Sequence, residues 1–376
     1  MASVRTRKLK NGKTAYYARW RDEKGASKEK GGFRLKSDAR RYAVNKEASI
    51  LTGTYVDPRS GKELFRTTFT EWHGTRHNLE VTTRIRDESY FSNHIDPYLG
   101  DIPLDRLTTG VISRWVADLG KTGRGRSDDK PPLSAATVGK DLILVRSCLS
   151  WAVRQKKIGD NPAEGVSAPK PPKRTMRLLR ADEIWKLAAA MDERYRLLVL
   201  LAAFLGLRSG EVRGLMWEDV DLEVMTLTVR HSLREPRGKL EVGPTKSNAS
   251  RRTLSLPKMI VGELQRHSQA YPSKGFVTTT DKGHEVRKDN FRSRVWLPAV
   301  EEAGLEPLRF HDLRHTCAAL LIEQNVNPKT LQEVLGHDSI STTFDTYGHL
   351  MEGLTRSAAD ALDEAYGDGP WDSRGI

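Results

Sequence analysis

Hydrophobic residues recur at helical spacing over most of this 376-residue chain, whereas apolar and polar residues alternate only in short stretches. The clearest helical series is Val138, Leu142, Val145, Leu149 and Ala152, separated by four, three, four and three positions. Such spacing places the apolar side chains on one face of an α-helix. A second apolar series at residues 195–205 predicts a helix that ends at Gly206. The pattern therefore indicates a mainly helical protein.

Residues 1–60 predict a small module of three strands and one helix. Strand-like stretches lie at residues 4–9, 14–20 and 28–33, and the pairs Asn11-Gly12 and Lys24-Gly25 suit the turns between them. Ser37 is the expected N-cap of a helix that continues to Leu51. The residues of this helix expected to face the sheet are Ala39, Tyr42, Ala43 and Ile50.

Composition marks two boundaries further along the chain. Residues 57–62 have the composition of a linker, and the Pro-rich basic segment at 168–174 favours an extended conformation. Between them, residues 65–165 predict an all-helical domain in which Thr109 caps one helix. Residues 175–376 form a third predicted domain, with strands at 226–229, 239–242 and 252–256 and an amphipathic segment at 352–365.

The expected fold is therefore multidomain: a small N-terminal three-stranded sheet plus helix, a helical domain, and a mixed, mainly α-helical domain with a small antiparallel sheet. The apolar run at residues 197–207 is too short to span a bilayer, and the first residues lack the apolar core of a signal peptide. The two cysteines, Cys148 and Cys317, lie far apart, which favours a reducing compartment. We expect a cytoplasmic protein.

The chain carries a net charge of +13, which favours an acidic partner, with nucleic acid before a membrane surface. Residues 1–50 hold 15 Lys and Arg against 5 Asp and Glu, or +10. Arg19 and Trp20 add an aromatic group beside cations in a predicted strand, and a sheet of this size can lie in a major groove. The alternative is a solvated hairpin with an ordinary basic bias.

Candidate chemistry is concentrated at residues 308–349. His311 and Arg314 are three positions apart and share one helix face, His337 follows a Leu-Gly pair, and Tyr347 comes ten residues later. A short segment with Ile340 and Phe344 as expected anchors carries the tyrosine. Arg can bind two phosphate oxygens, His can move a proton, and Tyr can attack.

Each of these residues also has a plainer interpretation. A single His-x-x-Arg pattern usually marks a solvated helix face, and a single late tyrosine is usually structural. His311 and His315 have the spacing of a zinc pair, but Asp312 stands where the HExxH motif requires Glu, so we expect no metal. The functional interpretation depends on the whole ordered set.

That set extends upstream through GLRSGEVRGL, with Arg208 and Glu211, and PTKS, with Lys246. Together with HDLRH, LGH and the late Tyr347, these motifs resemble the tyrosine recombinase (phage integrase) family in type, order and approximate spacing. The resemblance is close over residues 176–350. It implies that Arg208, Lys246, His311, Arg314, His337 and Tyr347 are catalytic and that Glu211 supports them. The one departure is Phe344-Asp345-Thr346 before Tyr347, which affects no catalytic position.

The chemistry of a phosphodiester is compatible with this set. Arg208 and Arg314 can clamp the non-bridging oxygens, and His337 can add a hydrogen bond. Tyr347 can attack phosphorus to give a 3′-phosphotyrosine, provided that the arginine charges or His311 as a base help to remove its proton. Lys246 can protonate the leaving 5′ oxygen. Because the bond energy stays in the ester, no cofactor is expected.

The resemblance also implies a domain plan and partners. Residues 1–60 correspond to an arm-type DNA-binding domain, 65–165 to a helical core-binding domain, and 175–376 to the catalytic domain with a C-terminal tail. The expected partners are double-stranded DNA at core and arm sites, three further copies of the chain in a homotetramer, and a DNA-bending accessory protein, with no membrane. The candidate DNA-binding residues are Arg19, Trp20, Arg154, Lys156, Lys173 and Arg174.

The preferred function is integration and excision of a phage or mobile element. Three alternatives remain open at this point: a host chromosome-resolution recombinase, strand cleavage like that of a type IB topoisomerase, and a non-catalytic DNA-binding regulator. The basic first sixty residues favour an integrase over the host recombinase. The intact seven-residue set argues against a regulator.

Overall fold

The computed structural model describes residues 2–9, 12–22, 25–53, 55–57, 59–122, 131–172, 176–245, 248–350 and 354–366. The chain divides into two compact units, residues 1–173 and 174–376. Within the described residues, no helix combines the length and apolar character needed to cross a membrane.

The first unit begins with an antiparallel sheet of β1 (Ser3–Lys8), β2 (Thr14–Arg21) and β3 (Ser27–Phe33), in that order, followed by α1 (Lys36–Leu51). The helix packs on the sheet through small residues, because Ala18, Ala39 and Ala43 are fully buried and allow close approach. The predicted cap is wrong: Leu35 is the N-cap residue, and Ser37 lies in the first helical turn. Half of each predicted turn pair, Asn11 and Lys24, lies outside the described residues.

The rest of this unit is helical. Its helices are α2 (Phe65–Gly74), α3 (Val81–Tyr90), α4 (Asp96–Leu99), α5 (Thr109–Thr122) and α6 (Ala135–Arg154), with a π-helical turn at Phe91–Ile95. The apolar series predicted for α6 is confirmed, since all five of its members are buried. Thr109 is the first residue of α5 rather than its cap. The Thr108 hydroxyl instead accepts a hydrogen bond from the Val111 backbone N–H at 3.3 Å.

The second unit contains ten α-helices and five short strands among its described residues. The helices are α7 (Ala181–Ala189), α8 (Glu193–Leu205), α9 (Ser209–Arg213), α10 (Lys258–Ala270), α11 (Lys288–Phe291), α12 (Leu297–Glu302), α13 (Asp312–Glu323), α14 (Pro328–Leu335), α15 (Ile340–Tyr347) and α16 (Leu354–Tyr366). The strands are β4 (Val220–Asp221), β5 (Thr226–Val229), β6 (His231–Arg234), β7 (Glu241–Pro244) and β8 (Arg252–Ser255).

Helix α8 lies at the centre of this unit, because its residues 197–203 are all buried, around the whole helix. Helices α7, α10 and α13 pack against it. An uninterrupted apolar surface requires neighbours on every side, which explains why the other helices are arranged around it. Gly206 ends α8 in the left-handed conformation, at a φ of 66°.

The strands form two small sheets. Strands β4, β5 and β8 make one antiparallel sheet, and β6 and β7 form a separate hairpin. The sequence pattern does not predict strands β4 and β6. In β6 only Leu233 is buried, so the strand lacks an alternating apolar pattern and is held by backbone pairing with β7. The predicted strand at 239–242 belongs to this hairpin, two residues later than expected.

The segment that carries Tyr347 differs from its prediction. Ile340 and Phe344 do not anchor α15, since 39% and 46% of their surfaces are exposed. The buried residues of this helix are Thr343 and Tyr347. The inward face of α15 is therefore the one that bears the tyrosine. The predicted amphipathic tail at 352–365 corresponds to α16, in which Leu362 and Tyr366 are exposed.

Candidate active site

Two helix ends place the two predicted arginines. Arg208 is the N-cap residue of α9, and its Nη2 donates a hydrogen bond of 2.8 Å to the carbonyl of Gly336. Arg314, on α13, donates from Nη1 to the carbonyl of Gly206 at 2.7 Å. Both glycines end helices in the left-handed conformation. Helix C-termini carry partial negative charge, so they hold guanidinium groups favourably.

Glu211 lies beneath the arginines and is 3% exposed. Its carboxylate accepts hydrogen bonds from the Arg208 Nη1 at 2.7 Å and the Arg208 backbone N–H at 3.0 Å. A third guanidinium, that of Arg252, donates to the same carboxylate at 3.2 Å. Burial opposes ionisation of Glu211, but the charges of Arg252 and Arg208 hold its pKa below the usual value. The Glu211 carboxylate is therefore an anion.

Arg314 has unused binding capacity. The residue is 2% exposed, and its Nη2 has no hydrogen-bond partner among the described residues. Burial, followed by the charges of Arg208 and Arg252, lowers the pKa of Arg314 to about 9. Three guanidiniums face one carboxylate in this cluster. Because an uncompensated buried cation is unfavourable, the site is suited to an added anion.

Tyr347 lies against this cluster at the end of α15. Its ring is 1% exposed and packs in a small apolar group with Ala318, Leu331 and Leu335. The phenol forms a hydrogen bond of 2.8 Å with Nδ1 of His315. Burial is the main reason that the pKa of Tyr347 is raised to about 12, although Arg314 acts in the opposite direction. The hydroxyl is thus protonated at neutral pH.

Two further imidazoles line the site. The His337 ring is parallel to that of Tyr347, with centroids 6.4 Å apart, and its Nδ1 forms a 2.9 Å hydrogen bond with the Thr343 hydroxyl. His311 stands at the exposed rim, one residue before α13. Desolvation, followed by the charges of nearby Arg and His residues, lowers the pKa values of both His311 and His337. Both rings are therefore neutral near pH 7.

The structure thus brings together five of the six predicted catalytic residues and Glu211, which was predicted to support them. Lys246, the sixth, lies outside the described residues, although β7 ends two residues before it. Two residues of the cluster were missed. Arg252 begins β8 shortly after the PTKS motif, and His315 follows Arg314 directly. His315 could have been found from its position one helical turn after His311. That spacing was considered only as a possible zinc-binding pair.

The predicted DNA-binding residues have mixed outcomes. Arg19, Arg154 and Lys156 lie at the surface, as a role in DNA binding requires. Trp20 does not: it is 3% exposed, and its indole N–H donates to the Tyr55 hydroxyl at 3.2 Å. The prediction that Trp20 contacts DNA is wrong, because successive side chains of β2 point to opposite faces of the sheet and the Trp20 ring lies on the face that packs against α1. Lys173 and Arg174 lie outside the described residues.

Among the described residues, one group has the composition of a metal site. Ligand atoms of Glu218, Asp219 and His231 all lie within 4.8 Å of one another. The Arg230 Nε, however, is 3.4 Å from the Asp219 carboxylate, so a cation already faces its buried member. None of these residues contributes to the cluster around Tyr347.

Comparison with known sequences identifies the family. The model of the phage integrase family matches residues 177–353, and that of the phage integrase N-terminal SAM-like domain matches residues 64–120. The ICEBs1 integrase of Bacillus subtilis is 27% identical over 293 residues, which cover 74% of this chain and 77% of that protein. The integrase of Mycobacterium phage D29 is 28% identical over 277 residues, which cover 71% of this chain and 70% of that protein.

Solved structures have the same fold. The Tn1549 transposon integrase, in complex with a circular intermediate DNA, superposes with a TM-score of 0.68 at 18% identity, covering 80% of this chain and 99% of that one. A lambda integrase dimer bound to a core site superposes with a TM-score of 0.59 at 21% identity, covering 91% of this chain and 93% of that one. The fold and the cluster define a DNA strand-exchange enzyme of the tyrosine type. The chain belongs to the phage integrase family of tyrosine recombinases and is a site-specific recombinase.

Proposed function

We propose that this chain integrates and excises a phage or other mobile element by cutting and rejoining DNA through a 3′-phosphotyrosine at Tyr347. The observation that carries this proposal is the buried Arg314 guanidinium, whose Nη2 lacks a partner among the described residues. Arg208 and Tyr347 lie beside it, so an anion that enters the arginine cluster meets a phenol. A phosphodiester is the anion that a tyrosine can attack with retention of bond energy.

Each residue of the cluster has a role in the proposed reaction. Arg208 and Arg314 hold the non-bridging oxygens, where charge grows in the transition state. Arg252 and Glu211 fix Arg208 in place, and His337 donates a further hydrogen bond to the phosphate. Lys246 protonates the leaving 5′ oxygen. A 5′-hydroxyl from a second DNA strand then attacks the phosphotyrosine, and the reaction requires no nucleotide or metal.

The domain plan and partners are part of the proposal. Residues 1–60 bind distal arm sites, 65–165 bind the core site, and 175–376 carry out the chemistry. A lambda integrase tetramer has been solved on a Holliday junction. We propose that this chain also assembles on DNA as a homotetramer, with the help of a DNA-bending protein. It acts on host-cell DNA in the cytoplasm. Relatives from a phage and from ICEBs1 support a mobile element over chromosome resolution.

Strand exchange tests the proposal. The attachment site is first sought as a direct repeat on either side of the element that carries the gene, here called the flanking repeat. Two plasmids that carry this repeat are then incubated with the protein, and recombinant junctions are measured by amplification across it. We expect junctions from the repeat and none from a scrambled repeat. Relaxation of supercoiled DNA without exchange would assign a topoisomerase, and sequence-specific binding without cleavage would assign a regulator.

A further inference from the structure

The Tyr347 hydroxyl has a defined neighbour in this structure. Its one hydrogen-bond partner among the described residues is Nδ1 of His315, at 2.8 Å. The two ring centroids are 5.7 Å apart, and the rings meet edge to face at 61°. His315 belongs to α13, whose residues Leu313 and Cys317 are buried in the core, so the imidazole projects from a firmly held helix.

The direction of the proton in this hydrogen bond follows from the two environments. Burial raises the pKa of the phenol, so Tyr347 retains its proton at neutral pH. Burial, together with the charges of Arg309 and Arg314, lowers the pKa of His315 against the opposing carboxylate of Asp312. A neutral phenol therefore faces a neutral imidazole. In this pair the Tyr347 O–H donates the hydrogen bond to an unprotonated Nδ1 of His315, and the imidazole carries its own proton on Nε2.

We propose that His315 is the general base that removes the phenolic proton of Tyr347 as the tyrosine attacks DNA. In this step the Tyr347 oxygen forms a bond to phosphorus and its proton moves to Nδ1. The bond from phosphorus to the 5′ oxygen breaks, and that oxygen receives a proton from the general acid. The reverse transfer restores the phenol when the strands rejoin. The inference rests on the proposed role of Tyr347 as nucleophile.

This assignment separates the two histidines of HDLRH. The family resemblance left His311 as a candidate base, yet His311 stands at the exposed rim and its described ring contact is with His315, at 5.0 Å between centroids and 79°. His315 touches the reacting oxygen, whereas His311 touches His315. A base must reach the proton that it abstracts. The geometry therefore favours His315 over His311 for this task.

The test compares His315→Ala and His315→Asn with wild type in single-turnover cleavage of a nicked duplex carrying the flanking repeat. Alanine removes the base and the hydrogen bond. Asparagine keeps an oxygen acceptor near the position of Nδ1 but cannot take a proton. We expect both variants to form the covalent adduct about 10²–10⁴ times more slowly than wild type, the usual contribution of a general base. His284→Ala, a change at an exposed histidine in the same unit, serves as the matched control.

The pH dependence gives a second readout. Without a base the phenol must lose its proton to hydroxide before it attacks, so the rate in His315→Ala should rise about tenfold per pH unit between roughly pH 7 and 8, below the range in which Arg314 titrates. The wild-type rate should be nearly flat there, because His315 is already unprotonated. The other titratable or charged groups around this imidazole are His311, Arg309, Asp312, Arg314 and His337, and they are the same in both proteins.

Three results would overturn the assignment. One is cleavage by His315→Asn within about threefold of wild type, which would make His315 a positioning residue only. The second is undiminished or faster cleavage by His315→Ala, which would mean that the hydrogen bond only restrains the resting tyrosine. The third is parallel pH profiles for variant and wild type. DNA binding by gel shift confirms that each variant is folded, and an adduct in Tyr347→Phe would instead refute the nucleophile itself.

Discussion

Arg314 illustrates how a single buried side chain can identify the chemistry of a site. A guanidinium that only stabilised the fold would be expected to have all its donors paired, because unpaired buried donors are costly. Here Nη1 is paired with the Gly206 carbonyl, whereas Nη2 has no partner among the described residues. The Glu211 carboxylate is already shared by Arg208 and Arg252. Arg314 therefore belongs to a pre-formed anion site with a protonated phenol beside it.

The sequence revealed the chemical types of these residues but not their hydrogen-bond partners. Arg208, His311, Arg314, His337 and Tyr347 could be named from ordered motifs, since the spacing of motifs is a one-dimensional property. Arg252 could not be named, because its role depends on β8 bringing it to Glu211 and to the carbonyl of Val334, 82 residues away. The contact of His315 with Tyr347 likewise requires the fold of α13 against α15.

At the scale of elements, the site depends on the ends of α8 and α14. Gly336 has a φ of 62°, and a Cβ at this position would lie 3.0 Å from the Ala249 carbonyl oxygen. Its own carbonyl holds Arg208, and His337 follows it. Gly304, which follows α12, has a φ of 64°, but a Cβ added there would have no atom within 4 Å among the described residues. The two glycines thus share the left-handed backbone conformation but differ in their surroundings.

We predict that Gly336→Ala and Gly304→Ala each destabilise the protein by about 1–2 kcal/mol through the left-handed backbone, and that Gly336→Ala costs more because of its close contact. Only Gly336→Ala should also reduce covalent adduct formation, since it displaces the carbonyl that holds Arg208. Thermal unfolding and the cleavage assay measure the two effects. Equal loss of cleavage in both variants would show that general stability, and not this helix end, controls the site.

The fold was predictable where periodicity was strong and unpredictable where it was weak. Helix α6 followed directly from its apolar series, and the sheet with α1 followed from strand patterns around two glycines. Strand β6 has one buried residue, so it lacks the alternation of apolar and polar residues that would predict a strand. Ile340 and Phe344 were expected to be buried because they are apolar, but α15 has Thr343 and Tyr347 on its inward face. The tyrosine is the buried side chain that the pattern overlooked.

At the scale of the whole molecule, positive charge is concentrated at the N-terminus, with +10 in residues 1–50 out of +13 in the chain. The sheet of this module buries Trp20 on its α1 side, which leaves Arg19 among the residues available to DNA. Cations at a DNA surface release counterions from the phosphates, so binding through this module should depend strongly on salt. The proposed arm-site role therefore predicts how the affinity for DNA changes with salt concentration.

We predict that deletion of residues 1–60 abolishes binding to distal arm sites and lowers the salt dependence of total DNA binding. Each lost phosphate contact should reduce the slope of log K against log salt by about 0.9. Cleavage at the core site should persist in part. Binding isotherms at several salt concentrations measure this, and a truncated protein that retains arm-site affinity would refute the assignment of the module. An Arg19→Ala variant of the full chain provides a milder comparison.

The attack of Tyr347 on DNA is tested most directly by denaturing electrophoresis after incubation of the protein with a nicked substrate carrying the flanking repeat. Tyr347→Phe removes only the hydroxyl from a buried ring, so this variant should bind the DNA with near-normal affinity and form no covalent adduct. Tyr366→Phe, at an exposed tyrosine of α16, is the matched control and should form the adduct normally. A slow-migrating covalent band from Tyr347→Phe, or loss of that band in Tyr366→Phe instead, would show that Tyr347 is not the nucleophile.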